Sequence, residues 1–472
     1  MSYLKLAQRN LWRNKRRTLI TISSILFAVF FAAMMRSFQL GSYSLMIDNA
    51  IGAYSGYLQI QNPDYADDPS LDNTIPQLEE ITALPQKVSN VKAVVPRLET
   101  FALASTGNLT KGALVLGILP ESEKNFSHPQ SFLVKYRFTN QAVRNIVDNP
   151  NITEAIKSKV KILEGEMYPT EKKLADALGD EAIDTTVLNI IKRECHYNGR
   201  FISASDSEVV VSSRLAKFLN LNVGDSIILM SQGYHGSSAA GIYRVAGLVK
   251  IPNPELDNKL IYMPLSKAQD FTGCYNLVSY WAINLKNASD ESLQNTQDVI
   301  NNMLDSKNVT VKTWKELNRV LVQQIESDNK SGIAFLVLLY FVVFFGIFGT
   351  VIMMIYERTH EFGVLISVGM QRKKLATLVF IELIFMALIG VVIGMGVSMP
   401  IIHYYHVHPI ALTGNTAKMM VDMGFEPLMP MAPFGPYLYR QAIVVLVMVV
   451  LASIYPIRRI IKINVTDAIR HR

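Results

Sequence analysis

The stretch ERTHEFGVLISVGMQRKK, residues 357–374, separates two long apolar segments. Residues 333–356 contain no charged side chain in 24 positions, and residues 375–402 contain one, Glu382. Because an α-helix rises about 1.5 Å per residue, roughly 20 apolar residues cross a hydrocarbon core of about 30 Å. The sequence therefore predicts two membrane-spanning helices joined by a short polar segment.

The polar segment has a helical pattern of its own. Phe362, Leu365 and Val368 recur at intervals of three residues, with Val364 alongside, and Gly369 follows. This spacing predicts a short helix with one apolar stripe that ends at the glycine. From the residues alone, such a helix either lies in the lipid interface or docks into a groove on another protein.

The same segment resembles the coupling segment of the FtsX/MacB/LolC-type ABC transporter permeases, approximately E-R-x-x-E-I-G-[IV]-L-[RK]-A-[LIV]-G-x-x-[RK]. In that family it sits against a separate ATPase subunit, so the resemblance favours docking. Phe362, Ile366 and Ser367 differ from the usual Ile, Arg/Lys and Ala. The ATPase-coupling residues that the resemblance implies are Glu357, Arg358, Glu361, Phe362, Gly363, Leu365, Val368, Gly369 and Arg372.

The distribution of charge indicates the orientation in the membrane. The 472-residue chain has a net charge of +7 and a mean hydropathy of +0.21. Segments 1–17, 357–374 and 458–472 carry 15 basic and 3 acidic residues, a net +12, so the rest of the chain carries −5. Basic residues beside membrane spans mark cytoplasmic segments. Because the large remainder is acidic, a nucleic-acid partner is not predicted.

The overall prediction is an α-helical membrane protein with four transmembrane helices and a large two-lobed α+β extracytoplasmic domain inserted between helices 1 and 2. Short β-rich runs alternating with helical runs predict the α+β class, and weaker resemblances to the same family imply the lobes. The predicted order is a cytoplasmic amphipathic elbow helix (1–17), transmembrane helix 1 with an outward stalk (18–49), the extracytoplasmic domain (50–312, with 126–245 as an inserted second lobe), a stalk helix with transmembrane helix 2 (313–356), the cytoplasmic coupling helix (357–374), transmembrane helix 3 (375–402), an extracytoplasmic loop (403–440), transmembrane helix 4 (441–457) and a cytoplasmic tail (458–472).

Both ends of the chain strengthen the resemblance. LKLAQRNLWRNKRRTL near the start and YPIRRIIKINVTDAIR near the end are similar to the opening and closing motifs of the same permeases. The first apolar run is not followed by a small-residue cleavage site, so we expect it to remain as an anchor. The resemblance implies a bacterial inner-membrane protein with both termini in the cytoplasm and the large domain in the periplasm.

Local signals predict details of the membrane helices. Thr313 and Glu316 form a capping-box pattern, and the helix that follows meets no glycine or proline before Gly332, so we expect it to continue into span two as a stalk. Gly390, Gly394 and Gly396 favour close helix packing in span three. We interpret Glu382 as the structural partner of a nearby basic group, with proton coupling as the alternative.

No phosphate-binding Gly-x4-Gly-Lys-Ser/Thr motif occurs in the sequence, so the chain is not expected to bind a nucleotide or to be an enzyme itself. The resemblance implies a transport subunit driven by separate ATPase subunits. The chain is expected to bind no cofactor itself, with ATP and Mg²⁺ bound by partner ATPase subunits. A second permease subunit, identical or different, and the lipid bilayer are the other expected partners.

The layout is closest to lipoprotein-release (LolC/LolE-type) permeases, which implies release of lipoproteins from the inner membrane. The alternatives are MacB-like export of peptides or small molecules with a periplasmic adaptor, and FtsX-like regulation of a cell-wall hydrolase. The soft apolar residues Met34, Met35, Phe38, Phe335 and Leu339 are possible contacts for acyl chains.

Two further groups of residues could carry chemistry. His403, His406 and His408 have no carboxylate nearby, so no metal site is predicted. Cys195 and Cys274 are the two cysteines, and the sequence leaves open whether they pair.

Overall fold

The computed structural model describes residues 15–179, 185–304, 308–412, 414–422 and 425–462. The chain divides into two compact units. The helical unit comprises Met1–Leu45, Val320–Leu412 and Leu428–Arg472, and the α+β unit comprises Met46–Arg319 and Thr413–Pro427. The predicted elbow helix up to residue 14, and the predicted tail from residue 463 onward, lie outside the described residues.

Helices and strands are numbered separately in chain order. The helices are α1 (Lys15–Ala50), α2 (Glu79–Thr82), α3 (Leu84–Lys87), α4 (Pro120–Glu123), α5 (Asn140–Val147), α6 (Glu154–Ile162), α7 (Glu171–Leu178), α8 (Thr185–Cys195), α9 (Ser213–Phe218), α10 (Pro254–Asp257), α11 (Leu265–Thr272), α12 (Asp290–Leu304), α13 (Trp314–Leu317), α14 (Arg319–Glu357), α15 (Thr359–Ser367), α16 (Arg372–Val407), α17 (Gly414–Asp422) and α18 (Pro436–Ile461). The strands are β1 (Leu58–Gln61), β2 (Ile75–Pro76), β3 (Val91–Ser105), β4 (Thr110–Ile118), β5 (Tyr136–Arg137), β6 (Met167–Tyr168), β7 (Val209–Ser212), β8 (Ser226–Gln232), β9 (Ser238–Val249), β10 (Leu260–Pro264), β11 (Leu277–Val278), β12 (Tyr280–Leu285), β13 (Thr310–Thr313), β14 (Ile410–Ala411) and β15 (Leu428–Met429).

Four helices of the described chain have the length and apolar composition needed to cross a membrane: α1 over Thr18–Asn49, α14, α16 and α18. α16 and α18 extend beyond the predicted spans 375–402 and 441–457 at both ends. α16 continues to Val407 instead of ending at 402, since no helix breaker follows Ile402. α18 begins at Pro436 instead of 441, because proline in the first helical turn needs no amide partner.

Small residues bring α16 against α1. A Cβ added at Gly390 would lie 2.8 Å from Ile25 Cγ2 and 3.0 Å from the Ile22 carbonyl oxygen. Gly394 faces the backbone of Leu26 in the same way. The predicted close packing of helices is therefore confirmed at Gly390 and Gly394. Among the described residues, a Cβ at Gly396 would meet nothing within 4 Å.

We expect Gly394→Leu to lower the melting temperature of the detergent-solubilised chain. The added Cβ would lie 2.9 Å from the Leu26 carbonyl oxygen and 3.1 Å from Val29 Cβ, and overpacking of this kind costs about 1–3 kcal/mol. Gly396→Leu adds the same side chain to an open face of the same helix and is the matched control. Equal melting temperatures for the two variants, measured by intrinsic fluorescence, would contradict this packing.

The segment before α14 is capped as predicted but is not one continuous stalk. The Thr313 hydroxyl accepts from the Glu316 amide, and Glu316 Oε2 accepts from the Thr313 amide at 2.7 Å, which confirms the capping box. The helix then ends at Leu317, and α14 starts at Arg319. The Asn318 side chain donates to the Trp314 carbonyl at 2.9 Å, and such side-chain bonds compete with helix propagation. The expected stalk is therefore α14 alone.

The α+β unit is built on a nine-stranded sheet in the order β13-β1-β12-β3-β4-β10-β7-β9-β8. β3 also pairs with β8, so β3, β4, β10, β7, β9 and β8 close into a barrel. β3 belongs both to the open part of the sheet and to the barrel. Its residues Val91–Arg97 pair with β12 in the open part, and Arg97–Ser105 pair with β4 in the barrel. A buried ion pair, in which Arg97 Nε lies 2.7 Å from Glu123 Oε1, ties β3 to α4.

The inserted lobe is smaller than the predicted range 126–245. α5–α8 surround a core of their own that includes Phe138, Ile146, Leu174 and Ile191. β7, β8 and β9 belong to the barrel instead, since β7 pairs with β10 and β8 pairs with β3. Pairing between strands that are distant in the sequence is set by the packing of the whole unit, so the boundary of the lobe has no local sequence signal.

Candidate functional site

A tight helical turn joins two of the long helices. α14 ends at Glu357, Arg358 precedes the nine-residue α15, and α16 starts at Arg372. The Gly369 amide donates to the Ile366 carbonyl and the Met370 amide to the Leu365 carbonyl, both at 3.0 Å. Gly369 has a φ of +105°, which an L-residue with a Cβ rarely adopts. The glycine therefore ends the short helix, as the sequence predicts.

Arg358 fixes this turn to α16. Its Nη1 lies 2.5 Å from Glu382 Oε2, with 9% of the arginine side chain and 3% of the glutamate side chain exposed. Its Nε lies 3.4 Å from Glu361 Oε2, and the guanidinium sits over the Phe362 ring at 5.1 Å. The prediction that Glu382 partners a nearby basic group is confirmed. We refer to the Arg358–Glu382 pair as the latch.

α15 does not present the apolar stripe that its three-residue spacing suggested. Phe362 is fully buried in the core of the helical unit, whereas 82% of Val368 is exposed. The physical reason is that a three-residue step falls about 60° short of a full helical turn, so two such steps rotate a side chain well away from the first. The expectation of one stripe shared by Phe362, Leu365 and Val368 is therefore wrong.

The exposed face of α15 follows a different spacing. Glu361, Val364, Leu365 and Val368 recur at i, i+3, i+4 and i+7, which places them on one side of the helix, and all four are exposed. We call these four residues the outer stripe. Val364 lies at its centre; it matches the [IV] position of the family pattern but was not included among the nine predicted coupling residues.

The nine implied coupling residues thus separate into two groups. The exposed residues are Glu357, Glu361, Leu365, Val368, Gly369 and Arg372, and the buried residues are Arg358, Phe362 and Gly363. The exposed group can meet another molecule directly. The buried group positions the helix, because it packs into the core or forms the latch.

A polar cluster ties α1 to α14 at their ends distant from α15. Arg36 Nη1 donates to Asn329 Oδ1 at 2.7 Å, and the Tyr43 hydroxyl donates to Asp328 Oδ2 at 2.6 Å. Gln39 Nε2 donates to the Asp328 carbonyl at 3.0 Å. We call these five residues the polar clasp. Sequence reasoning missed it, although polar residues at positions 36, 39 and 43 share one helix face.

At the end near α15 the same two helices are separated. A cavity of about 350 Å³ lies between them, and its lining combines both polar and apolar side chains. The lining residues are Arg16, Ile20 and Thr21 of α1 and Thr350, Met353 and Glu357 of α14. α1 and α14 are therefore joined at one end and open at the other.

The five possible substrate-contacting residues do not form one surface. Met34 and Phe38 pack with Met431 and Ala432 in an apolar cluster, supported by the Ala432 amide, which donates to the Ser37 carbonyl at 2.9 Å. Met35 and Leu339 are half-buried. Phe335 is exposed on α14. The structure therefore brings Met34 and Phe38 together and leaves Phe335 apart.

The histidines and cysteines have separate environments. His406 Nδ1 lies 2.8 Å from the Met431 carbonyl oxygen, and the His403 ring lies 6.1 Å from that of Phe434. Within the described residues, no group of three or more His, Cys, Asp or Glu side chains could hold a metal ion. Cys195 and Cys274 are both free and buried, and burial raises the pKa of the Cys195 thiol to about 12.

Comparison with known proteins finds a family match for the region that contains the turn between α14 and α16. The FtsX-like permease C-terminal family matches residues 333–465, and no curated protein sequence matches the chain. Similar solved structures include the periplasmic region of MacB from Actinobacillus actinomycetemcomitans, at 14% identity over 59% of this chain and 95% of that chain, with a TM-score of 0.30. The extracellular domain of the noncanonic ABC-type transporter YknZ from Gram-positive bacteria is 10% identical over 55% of this chain and 100% of that chain, with a TM-score of 0.29. Residues 333–465 of this chain are therefore similar in sequence to the FtsX-like permease C-terminal family.

Proposed function

We propose that this chain is the permease subunit of an ABC transporter in the bacterial inner membrane. In this arrangement α1, α14, α16 and α18 cross the bilayer, the α+β unit lies in the periplasm, and α15 and both termini lie in the cytoplasm. The basic excess of segments 1–17, 357–374 and 458–472 supports this orientation. The outer stripe of α15 is the observation that carries the proposal.

The outer stripe fits the mode in which an amphipathic helix docks into a groove on a partner. Its three aliphatic side chains would be buried in that groove, and Glu361 would lie at its edge. The proposed partner is an ABC ATPase subunit that binds ATP and Mg²⁺, and residues 1–472 themselves contain no phosphate-binding motif. The FtsX-like domain at residues 333–465 supports this assignment.

The contacts around α15 suggest how motion of the ATPase reaches the rest of the permease. A force on α15 would pass to α16 through the latch. It would pass to α14 through Arg358, which directly follows Glu357, the last residue of α14. The cavity between α1 and α14 gives these helices room to approach near α15. The polar clasp holds them together at the other end, so closure would act as a hinge movement.

The surface of α14 supports a second permease subunit, identical or different, as partner. Phe341 and Phe345 are exposed on it. In the part of the chain that the structure describes, a Cβ at Gly346 or Gly349 would meet nothing within 4 Å. Exposed glycines on a membrane helix allow close approach of another helix.

The proposed cargo is a lipoprotein that is released from the inner membrane. Phe335 on α14 offers exposed apolar surface near the outer end of its span, and Met34 and Phe38 on α1 belong to a separate apolar cluster. Glu382, the charged residue within the predicted span 375–402, is paired with Arg358. This arrangement favours an apolar cargo handled at the outer side of the membrane over a polar path through it.

Cysteine labelling tests the proposed orientation. Both native cysteines are buried, so labelling reports on a newly introduced cysteine. The two test variants are Val368→Cys and Ile162→Cys, at positions that are 82% and 81% exposed. A maleimide that cannot cross the inner membrane should label Ile162→Cys but not Val368→Cys in cells with a permeable outer membrane. Both should react after the inner membrane is opened. Labelling of Val368→Cys in sealed cells would contradict the proposal.

A further inference from the structure

The cavity of about 350 Å³ between α1 and α14 changes character along its length. Arg16 lies at the start of α1 and Glu357 at the end of α14, so both charged groups lie at the end near α15. At about 1.5 Å per residue, Ile20 lies about 6 Å beyond Arg16, and Met353 lies about 6 Å beyond Glu357. The cavity therefore has a charged mouth with apolar walls behind it. We call this cavity, lined by Arg16, Ile20, Thr21, Thr350, Met353 and Glu357, the slot.

The slot follows one face of each helix. Arg16 and Ile20 are four residues apart on α1, and Thr350, Met353 and Glu357 recur at i, i+3 and i+7 on α14. Residues at these intervals lie above one another on a helix surface. The charged mouth and the apolar walls are therefore aligned along the helices, and an elongated molecule can contact both.

The deeper part of the slot makes little demand for polar contacts. The Thr350 hydroxyl donates within its own helix, 2.8 Å from the Ile347 carbonyl oxygen and 3.1 Å from that of Gly346. Ile20 is 47% exposed and Met353 is 60% exposed. These two apolar side chains also show that the slot is open at the side. An occupant that matches the slot is polar at one end, apolar at the other, and can extend outward between the helices.

A membrane phospholipid has this distribution of polarity. In the orientation proposed above, the mouth of the slot lies at the level of the cytoplasmic headgroups, and its walls face the acyl chains. The volume of the slot lies within the range of about 300–1,000 Å³ that is usual for small-molecule sites. The slot thus takes a headgroup and the start of one acyl chain, and its open side leaves the rest of the lipid in the bilayer.

The charges at the mouth select the kind of headgroup. An arginine guanidinium binds phosphate oxygens with two parallel hydrogen bonds, which suits Arg16. A carboxylate accepts several hydrogen bonds and can accept them from an ammonium group, which suits Glu357. Anionic lipids are attracted by clusters of basic residues, whereas the described lining residues contain one cation and one anion. A zwitterionic headgroup with a phosphate and a primary ammonium therefore matches the mouth better than an anionic one.

We propose that the slot binds a zwitterionic aminophospholipid of the inner leaflet, with its phosphate on Arg16 and its ammonium on Glu357. This inference rests on the proposed function, because it requires these ends of α1 and α14 to lie in the cytoplasmic leaflet. The bound lipid holds the two helices apart near α15, so it must leave before they close. The slot is thus a regulatory lipid site, separate from the apolar surface near the outer ends of the spans.

Native mass spectrometry of the purified full chain tests the proposal. The chain is reconstituted in nanodiscs that contain equal parts of phosphatidylethanolamine and phosphatidylglycerol, and the lipid that stays bound after release is identified by mass. We expect one phosphatidylethanolamine molecule on the wild-type chain. Ile20→Trp fills the slot and should abolish this retention. Leu19→Trp adds the same ring at a position of α1 that is 61% exposed and outside the lining, and it should retain the lipid.

Two further variants test the contacts of the headgroup. Arg16→Gln should lower retention about tenfold, as expected for the loss of a charged hydrogen-bonding partner. Glu357→Gln should retain lipid but lose the preference for phosphatidylethanolamine over phosphatidylglycerol, a change that a purely structural role would not cause. Both variants keep the test valid if Ile20→Trp melts at a lower temperature.

Three results would overturn the proposal: no retained lipid on the wild-type chain, a wild-type preference for phosphatidylglycerol, or equal retention by Ile20→Trp and Leu19→Trp. The measurement uses the chain without any ATPase. A chain that passes the cysteine-labelling test of orientation but gives one of these three results therefore contradicts the lipid site and leaves the proposed function standing.

Discussion

If the outer stripe is the proposed docking face, the double substitution Leu365→Asp, Val368→Asp should abolish stable binding of the proposed ATPase partner. Both side chains belong to the outer stripe and are exposed, so the change alters the docking face without disturbing the core. Burying one such aliphatic side chain contributes about 1.5–3 kcal/mol. Losing two of them and burying two carboxylates instead would weaken binding more than 100-fold, since about 1.4 kcal/mol corresponds to a factor of ten.

The matched control adds the same two carboxylates to another side of α15. His360 and Ser367 are exposed but lie off the outer stripe, so His360→Asp with Ser367→Asp should retain the ATPase. The measurement is co-purification from detergent-solubilised membranes, followed by titration with the purified ATPase. Equal retention by the two double variants would show that the outer stripe is not the docking face. Glu361 is left unchanged because it also contacts Arg358.

Features of this site that depend only on residues close together in the sequence could be predicted. Gly369 as the end of the helix and Thr313 with Glu316 as a cap are local signals, and the structure confirms both. The sequence predicted that the partner of Glu382 is a basic side chain, because a buried carboxylate requires a cation or several hydrogen-bond donors. Its identity as Arg358 required the geometry of the turn between α14 and α16.

The exposed face of α15 could not be assigned from its own sequence. Phe362 and Val368 are both apolar, and which of them faces the protein depends on where α16 lies relative to α15. The barrel was missed for a related reason. Ile228 and Leu103 read as parts of separate strands, and the contact between β3 and β8 joins segments more than 100 residues apart. Such pairings are set by the packing of the whole unit and not by local propensity.

Breaking the latch should have the largest effect on the stability of the helical unit. Arg358→Met removes the cation that Glu382 contacts in a site where 3% of the glutamate side chain is exposed. Breaking a buried pair by removing one partner costs about 3–5 kcal/mol, whereas replacing both partners by apolar residues is often neutral. We therefore expect Arg358→Met to lower the melting temperature markedly, and Arg358→Met with Glu382→Met to recover most of the loss.

The same variants distinguish an effect on the stability of the helical unit from an effect on force transmission. In the double variant α15 keeps its exposed outer stripe but loses the charged link to α16, so it should still bind the ATPase while transport falls. Cargo release measured in proteoliposomes, normalised to bound ATPase, distinguishes this from a folding defect. If Arg358→Met melted at the wild-type temperature, the latch would not stabilise the turn. If the double variant transported at the wild-type rate, force would reach α16 by the packing of Phe362 against the core and not through the ion pair.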